Sequence, residues 1–491
     1  MLRLAARLSK VSTSPLVIPS SRRLSTSMVH LYAAKPATPA GKRKMAFNPK
    51  KGPQQAKAKK GGMTHLEFDD AVQSLSFEKT ATNLGELEVP SLNYEQLDNL
   101  KSRVVKYVDS DERILSNLRS FKKFQHNELY RNPVTLVTEN TTKINEDFVS
   151  KLDQSSSKEN RICLTGTRGV GKSTLLSQTK ALALEKFNKD VILLHIDAAE
   201  NIVNGTSDYI FNTKLDKYQQ PMFTKRWIYK LREANEHILK KLKLSSDITF
   251  TYKRIEHNLK KDTNTLFDLL KSNHDFGKVG QTTAFQFFLN ELIHHSKTVP
   301  ILLSIDNINA ILDFPVSKYK KPDFTPIHIS EFELGDFILK FLSGEQSFAK
   351  GGVIVAKTGM IGAHQKTMDV GLNIEEYDPY AKQRFFDLDI ANSLKKNNGV
   401  KSFGVENFTK QETKDLLQFW RKAGTLQVKE FYTKDVFVTS EELVQEKANQ
   451  AQDQDAVEFN PEEQFERIVN NQYAISSGNP HYLLRATTLS Y

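Results

Sequence analysis

Eight consecutive residues, Gly166-Thr167-Arg168-Gly169-Val170-Gly171-Lys172-Ser173, match the spacing GxxxxGK[ST] in full. The chemistry this pattern performs is the cradling of a polyphosphate. Gly166, Gly169 and Gly171 permit positive backbone angles, which let successive N–H groups turn onto phosphate oxygens. Lys172 supplies the cation for the β- and γ-phosphates and Ser173 a hydroxyl ligand for Mg2+. A helix opening at Thr174 adds the positive end of its dipole. Thr167 and Val170 complete the spacing, and Arg168 reads as facing solvent or a partner. The expected ligand is a purine nucleoside di- or triphosphate held by Gly166 through Thr174.

Three more positions extend this site. Asp306 closes the apolar run Ile301-Leu302-Leu303-Ser304-Ile305, where a carboxylate beside the loop can hold Mg2+ together with Ser173. An active AAA-type ATPase places a glutamate next, to polarise the attacking water. Here the next residue is Asn307, whose amide cannot accept a proton at neutral pH. Hydrolysis is therefore expected to be slow or absent unless a Glu or Asp from elsewhere substitutes. Thr358 ends the run Gly352–Thr358 and can touch the γ-phosphate or its water. Arg485 follows Gly478-Asn479-Pro480, where a closing helix can aim a cation at the phosphates.

These residues need a rigid frame, and the sequence predicts one. Ile162–Thr165, Val191–Asp197, Pro300–Asp306 and Gly352–Thr358 are short, nearly continuous apolar runs separated by helical stretches. That is the signature of a parallel sheet covered on both faces. The phosphate loop sits between the first run and a helix over Thr174–Phe187, the strand–loop–helix context the motif requires. About 100 residues separate the second and third runs. Helices are expected over Lys225–Leu242, Asn264–Ser272 and Thr283–His295. Pro133–Thr138 reads as a short strand, and 361–400 as polar and irregular. Thr409-Lys410-Gln411-Glu412 is a capping box opening a helix to about Arg421. Two more helices, Glu463–Tyr473 and one ending near Arg485, close the chain.

The expected fold class is α/β: a P-loop NTPase, AAA-like, with a parallel sheet, a helical insertion and a C-terminal helical lid. The expected divisions are an N-terminal extension over 63–130 and a nucleotide-binding domain over 131–405. That domain carries the insertion at about 205–295. The lid spans 406–491.

Charge is distributed unevenly. The formal net charge is +11, yet the first 66 residues hold 14 Lys or Arg and no acid, leaving 55 basic against 58 acidic residues in the rest. The body therefore gives no global electrostatic case for binding nucleic acid. Residues 1–27 carry Arg3, Arg7, Lys10, Arg22 and Arg23 beside an apolar stripe of Leu2, Leu4, Ala5, Leu8 and Val11. This composition fits a mitochondrial presequence. Residues 28–62, rich in Lys, Pro, Gly and Ala, cannot bury enough surface to fold alone and suit threading along phosphate backbones. Cys163 is the single cysteine, which excludes an intrachain disulfide and a cysteine-rich zinc site. No apolar run approaches the roughly 18 residues of a membrane-spanning helix. The chain is expected to be soluble, with no membrane insertion and no structural metal.

The presequence, the loop at 166–173, Leu302-Leu303-Ser304-Ile305-Asp306-Asn307 and the closing Gly478-Asn479-Pro480 helix together resemble the death-associated-protein family of the mitochondrial ribosomal small subunit, in a fungal-type version. The resemblance runs over roughly residues 130–491. It implies an AAA-like domain built into the small-subunit head, near the contacts with the large subunit. It also implies a stably held guanine nucleotide, GTP or GDP, with small-subunit ribosomal RNA and neighbouring ribosomal proteins as partners. The residues themselves do not choose the base. No NKxD-type motif is present, since Ile308-Asn309 follow Asn307, and ATP stands as the alternative. The expected role is a ribosomal constituent of the mitochondrial matrix. A free AAA-type ATPase and a GTP-dependent assembly factor are the competing readings.

Overall fold

The computed structural model describes residues 89–130, 132–252, 255–276, 283–358, 366–380, 386–426 and 461–488. The expected presequence and basic tail, 1–62, lie outside these residues, as do residues 63–88 of the expected N-terminal extension.

The centre is a five-stranded, wholly parallel sheet. Its strands are β1 (Arg161–Thr165), β2 (Ile192–Ile196), β3 (Ile301–Ile305), β4 (Gly351–Ala356) and β5 (Lys401–Gly404). Their spatial order is β5-β1-β4-β3-β2. β2, β3 and β4 are buried at every residue, as strands covered on both faces must be. All five point the same way, so the loops after β1, β2, β3 and β4 leave from one edge of the sheet. In open sheets of this kind ligands bind outside the carboxyl ends of the strands.

β5 is the strand that hydrophobic patterning does not find. Its side chains are exposed or half-buried, so it presents no apolar run. It pairs with β1 on one side, from Lys401 opposite Ile162 to Gly404 opposite Thr165, and its Phe403 packs against the main core.

The helices are α1 (Asp109–Asn117), α2 (Glu139–Asp147), α3 (Lys172–Lys186), α4 (Pro221–Ala234), α5 (Leu266–Phe276), α6 (Ala284–His295), α7 (Glu333–Ser343), α8 (Leu388–Lys395), α9 (Lys410–Lys422), α10 (Pro461–Ser476) and α11 (Pro480–Thr487), alongside several single turns. α3 is buried along most of its length, from Leu175 to Leu184. It packs against β4 on one side and α1 and α2 on the other. The stretch between β2 and β3 holds helices α4 to α6 and, besides them, two antiparallel hairpins, Ile210–Asn212 with Lys217–Gln219 and Ile248–Tyr252 with Ile255–Leu259. The insertion is thus mixed rather than helical. Thr249 and Thr251, alternating with Ile248, Phe250 and Tyr252, carry the period-two signal of the second hairpin. The region 361–400 is likewise not all irregular, since Leu388–Lys395 is a helix capped by Asp387.

An antiparallel pair, Val104–Lys106 with Val134–Leu136, crosses the expected 130/131 division. Gln178 of α3 pins this hairpin: its amide donates to Thr135 Oγ1 at 2.6 Å and to the Leu136 carbonyl at 2.8 Å. Val104, Tyr130 and Leu136 also share a second apolar core with Leu417, Trp420, Phe465, Ile468, Val469 and Leu483. The N-terminal hairpin is therefore packed between α3 and the three C-terminal helices. The capping box at α9 forms as its sequence predicts: Thr409 Oγ1 accepts from the Glu412 amide at 3.2 Å and Glu412 Oε2 from the Thr409 amide at 2.8 Å. Among the described residues no helix is long and apolar enough to cross a membrane.

Candidate functional site

The loop between β1 and α3 bends where its glycines allow. Gly166, Gly169 and Gly171 have φ of +130°, +84° and +102°. Two of them serve distinct ends. A Cβ on Gly169 would lie 2.6 Å from His481 Cβ and 2.7 Å from Asn479 Oδ1, so the start of α11 presses directly on the loop. A Cβ on Gly171 would meet nothing within 4 Å, so there the backbone faces open space.

Lys172 is buried, and its ammonium donates to the Gly166 carbonyl at 2.9 Å and the Thr167 carbonyl at 2.6 Å. Burial lowers its pKa and nearby Asp306 opposes the shift. Asp306 is itself buried, one residue beyond β3. Ser173 Oγ donates to Asp306 Oδ2 at 2.9 Å. The two expected metal ligands, 133 residues apart in sequence, thus meet at hydrogen-bond distance. A hydroxyl and a carboxylate oxygen so placed form a hard oxygen pair of the kind Mg2+ takes.

These groups face one cavity of about 670 Å3, within the roughly 300–1,000 Å3 usual for small-molecule sites. Its polar wall carries Arg168 through Thr174, Asp306, Asn307 and Thr358. Thr358 is held by Asn309, whose side chain accepts from the Thr358 amide at 2.9 Å and donates to its carbonyl at 3.0 Å. The lining also has an apolar part that includes Val104, Tyr130, Leu136, Phe408, Leu416 and Trp420.

Arg485 stands apart. It is exposed and does not line the cavity. α11 turns Pro480, His481 and Leu484 inward instead. Successive helical residues point about 100° apart, so with Leu484 inward Arg485 is carried round toward solvent. The α11 start still engages the loop. Asn479 Nδ2 donates to the Arg168 carbonyl at 2.9 Å and the His481 amide to the Gly169 carbonyl at 3.2 Å. Asn479 also caps α11 through its side-chain oxygen, with Pro480 at the first helical position. Gly478 has φ +71° and fits against the Phe408 carbonyl, which a Cβ would approach to 2.1 Å.

Three polar residues join the site without having been singled out in the sequence. Lys122 pairs with Asp306 Oδ2 at 3.4 Å and donates to the Asp197 carbonyl. Gln125 Nε2 donates to Thr174 Oγ1 at 3.1 Å. Glu200, just past β2, accepts from the Asn307 amide and lines the cavity. A signal existed for Glu200, because a carboxylate following a buried parallel strand sits at the ligand edge. None existed for Lys122 or Gln125, which lie in the short turns between α1 and the hairpin strand Val134–Leu136.

Residues 135–486 match the family described as mitochondrial ribosomal death-associated protein 3. The chain is similar to the small ribosomal subunit protein mS29 of Schizosaccharomyces pombe, 28% identical over 284 residues that make up 56% of this chain and 56% of that protein. It is also similar to the protein of the same description from Neurospora crassa, 24% identical over 328 residues, 64% of this chain and 66% of the relative. The matched stretches thus span between about half and two thirds of those relatives' own length. The family match takes in the whole loop Gly166–Ser173, Glu200, Asp306, Asn307, Thr358 and the start of α11, and it covers well over half of the chain; the chain belongs to the mitochondrial ribosomal death-associated protein 3 family.

Proposed function

We propose that this protein is a structural constituent of the small subunit of the mitochondrial ribosome, located in the mitochondrial matrix, and that it supports mitochondrial translation while holding a purine nucleotide with Mg2+ in its cavity. The ribosomal part rests on the family and on two relatives described as small-subunit proteins. The nucleotide part rests on one observation above all, the meeting of Ser173 Oγ and Asp306 Oδ2 at the foot of a GxxxxGK[ST] loop. The loop N–H groups, Lys172 and the start of α3 are the natural seat of the phosphates. The apolar wall is the natural seat of the base. The nucleotide is GTP or GDP on the family resemblance, with ATP as the alternative. A ligand bound only by the folded state stabilises it by mass action without any turnover. The start of α11 and the N-terminal hairpin both touch this cavity, so such a ligand would fasten the C-terminal helices to the sheet. Partners on this reading are small-subunit ribosomal RNA, neighbouring ribosomal proteins and, across the interface, the large subunit. The basic segment 28–62 is suited to the RNA.

The test is sedimentation of the full-length tagged chain from mitochondrial lysate, paired with binding of a fluorescent GDP to the purified chain. Cosedimentation with small-subunit RNA, together with saturable Mg2+-dependent binding, is expected. A chain that runs free of ribosomal RNA as a homo-oligomeric ring and turns over ATP repeatedly would replace this reading with an AAA-type enzyme.

A further inference from the structure

We propose that the outer side of the β1–α3 loop is a docking site for a single-stranded stretch of small-subunit ribosomal RNA, with Arg168 and Arg485 holding a backbone phosphate beside the exposed ring of Tyr482. The inference rests on the ribosomal part of the reading above. It adds a contact point on the folded body, apart from the basic segment 28–62, and needs no nucleotide in the cavity.

Folding brings the cations together from three segments. Arg168 lies in the β1–α3 loop, whose backbone is tied to the start of α11. Asn479 Nδ2 donates to the Arg168 carbonyl at 2.9 Å and the His481 amide to the Gly169 carbonyl at 3.2 Å. Residues four apart on a helix are neighbours on one face, so α11 sets Arg485 one turn from His481. The third segment is the left-handed turn at His126, φ +51°. It follows Gln125, which bonds Thr174 at the end of the loop. Burial lowers the pKa of His481, and repulsion from Arg168, Arg485 and His126 lowers it further. One imidazole thus senses cations from all three segments.

Gathering like charges costs free energy unless an anion offsets them. Both arginines are exposed. Neither makes a side-chain hydrogen bond or an ion pair among the described residues. Arg168 lines the cavity and Arg485 does not, so an anion touching both extends beyond the cavity.

Exposed rings flank these cations. Tyr482 is 52% exposed and Phe124, two residues before His126, is 57% exposed. The Tyr482 ring centre lies 5.8 Å from that of His481. A guanidinium binds a phosphate through paired N–H groups, and an unpaired base stacks on an aromatic face. An acidic peptide matches the cations alone, whereas single-stranded RNA matches cations and rings together. A phosphate between Arg168 and Arg485 would also join the loop to α11 along the seam that Asn479 and His481 already hold.

The experiment uses the full-length chain as wild type, Arg485→Gln, Arg485→Lys and Tyr482→Ser. Purified mitochondrial small subunits carrying the wild-type chain are irradiated with ultraviolet light, digested with nuclease and protease, and searched for peptides bearing a nucleotide. Adducts are expected on Tyr482 or Phe124. In parallel, a labelled oligouridylate of about 15 nucleotides is titrated against each purified chain over a range of salt, beside fluorescent-GDP affinity. Segment 28–62 is common to all four chains and contributes equally to each titration. Arg485→Gln should weaken RNA binding roughly fourfold near physiological salt and flatten the log–log salt slope by about 0.7, the share of one phosphate contact on a single strand. Arg485→Lys keeps the charge and should restore most of the slope. Tyr482→Ser should weaken binding roughly fivefold or more at every salt concentration without changing the slope, because stacking releases no counterions. GDP affinity should stay within about twofold in all of them. Adducts absent from both Tyr482 and Phe124 overturn the inference and leave the ribosomal reading standing. So does an unchanged salt slope in Arg485→Gln. A GDP affinity that falls as far as RNA binding overturns it by giving Arg485 to the nucleotide. Loss of a neighbouring ribosomal protein from Arg485→Gln particles, with RNA binding by the purified chain unchanged, overturns it in favour of an acidic protein partner. A wild-type chain that is absent from small subunits overturns both the inference and the ribosomal reading.

Discussion

The two ends of the cavity are built in opposite ways. At the polar end the groups come as one contiguous loop, Arg168 to Thr174, with Asp306, Asn307 and Thr358 added from the ends of neighbouring strands. At the apolar end Val104, Leu136, Phe408 and Trp420 arrive from separate segments, joined only because the N-terminal hairpin and the C-terminal helices share a core. The polar end is organised by the sheet, so its geometry follows from local backbone rules. The apolar end is organised by long-range packing, so its shape depends on the whole assembly. Damage at the first should cost ligand and spare the fold, whereas damage at the second should cost both.

The largest effect is expected at the apolar end. Trp420 is buried in the second core and lines the cavity. Trp420→Ala should lower stability by about 3–5 kcal/mol and weaken nucleotide binding with it, read by chemical denaturation and fluorescent-GDP titration. Binding unchanged in a folded variant would break the link between lid packing and ligand. At the polar end, Lys172→Ala should cost about 2–5 kcal/mol of binding, the usual cost of removing one partner of a buried charged contact. Its denaturation midpoint without ligand should stay near wild type. A large loss of stability there would erase the contrast between the ends.

Lys122 joins the two ends, because it belongs to the N-terminal segment yet pairs with Asp306. Lys122→Ala should destabilise the chain by about 1–3 kcal/mol without Mg2+, and by less once Mg2+ and nucleotide supply the missing charge. Thermal melts with and without both ligands check this. The smallest effect concerns Lys180 on α3. Burial pushes its ammonium down to about 7 from an ordinary 10.5, with Lys122 lowering it further and Asp306 and Asp197 raising it. Its hydrogen bond is to Ser120 Oγ at 2.6 Å. Between about pH 7 and 10.5 the unfolded chain binds this proton and the folded chain does not, so stability should rise with pH. The gain is at most about 1.4 kcal/mol per pH unit. Denaturation at pH 7 and pH 8 should show a steeper rise for wild type than for Lys180→Met.

Legibility follows the same division. The loop, its flanking strand and helix, Asp306 and the capped start of α9 were readable because each is a short-range pattern with a local cause. β5 was not, because its burial pattern carries no apolar run. Nor were the hairpins between β2 and β3 anticipated, although Ile248–Tyr252 alternates as a strand should. Arg485 shows the limit of motif reasoning. The Gly478-Asn479-Pro480 turn meets the loop through Asn479 and His481 on its backbone, and the arginine faces outward. Lys122 and Gln125 were invisible because only the folded chain brings the N-terminal segment across the loop.

The most direct test is to purify mitochondrial small subunits carrying this chain, denature them and identify the nucleotide released. One purine nucleotide, GDP or GTP, is expected per copy of the chain, lost when the particles carry Lys172→Ala. Particles that contain the wild-type chain and release no nucleotide, or release the same amount with Lys172→Ala, would contradict it.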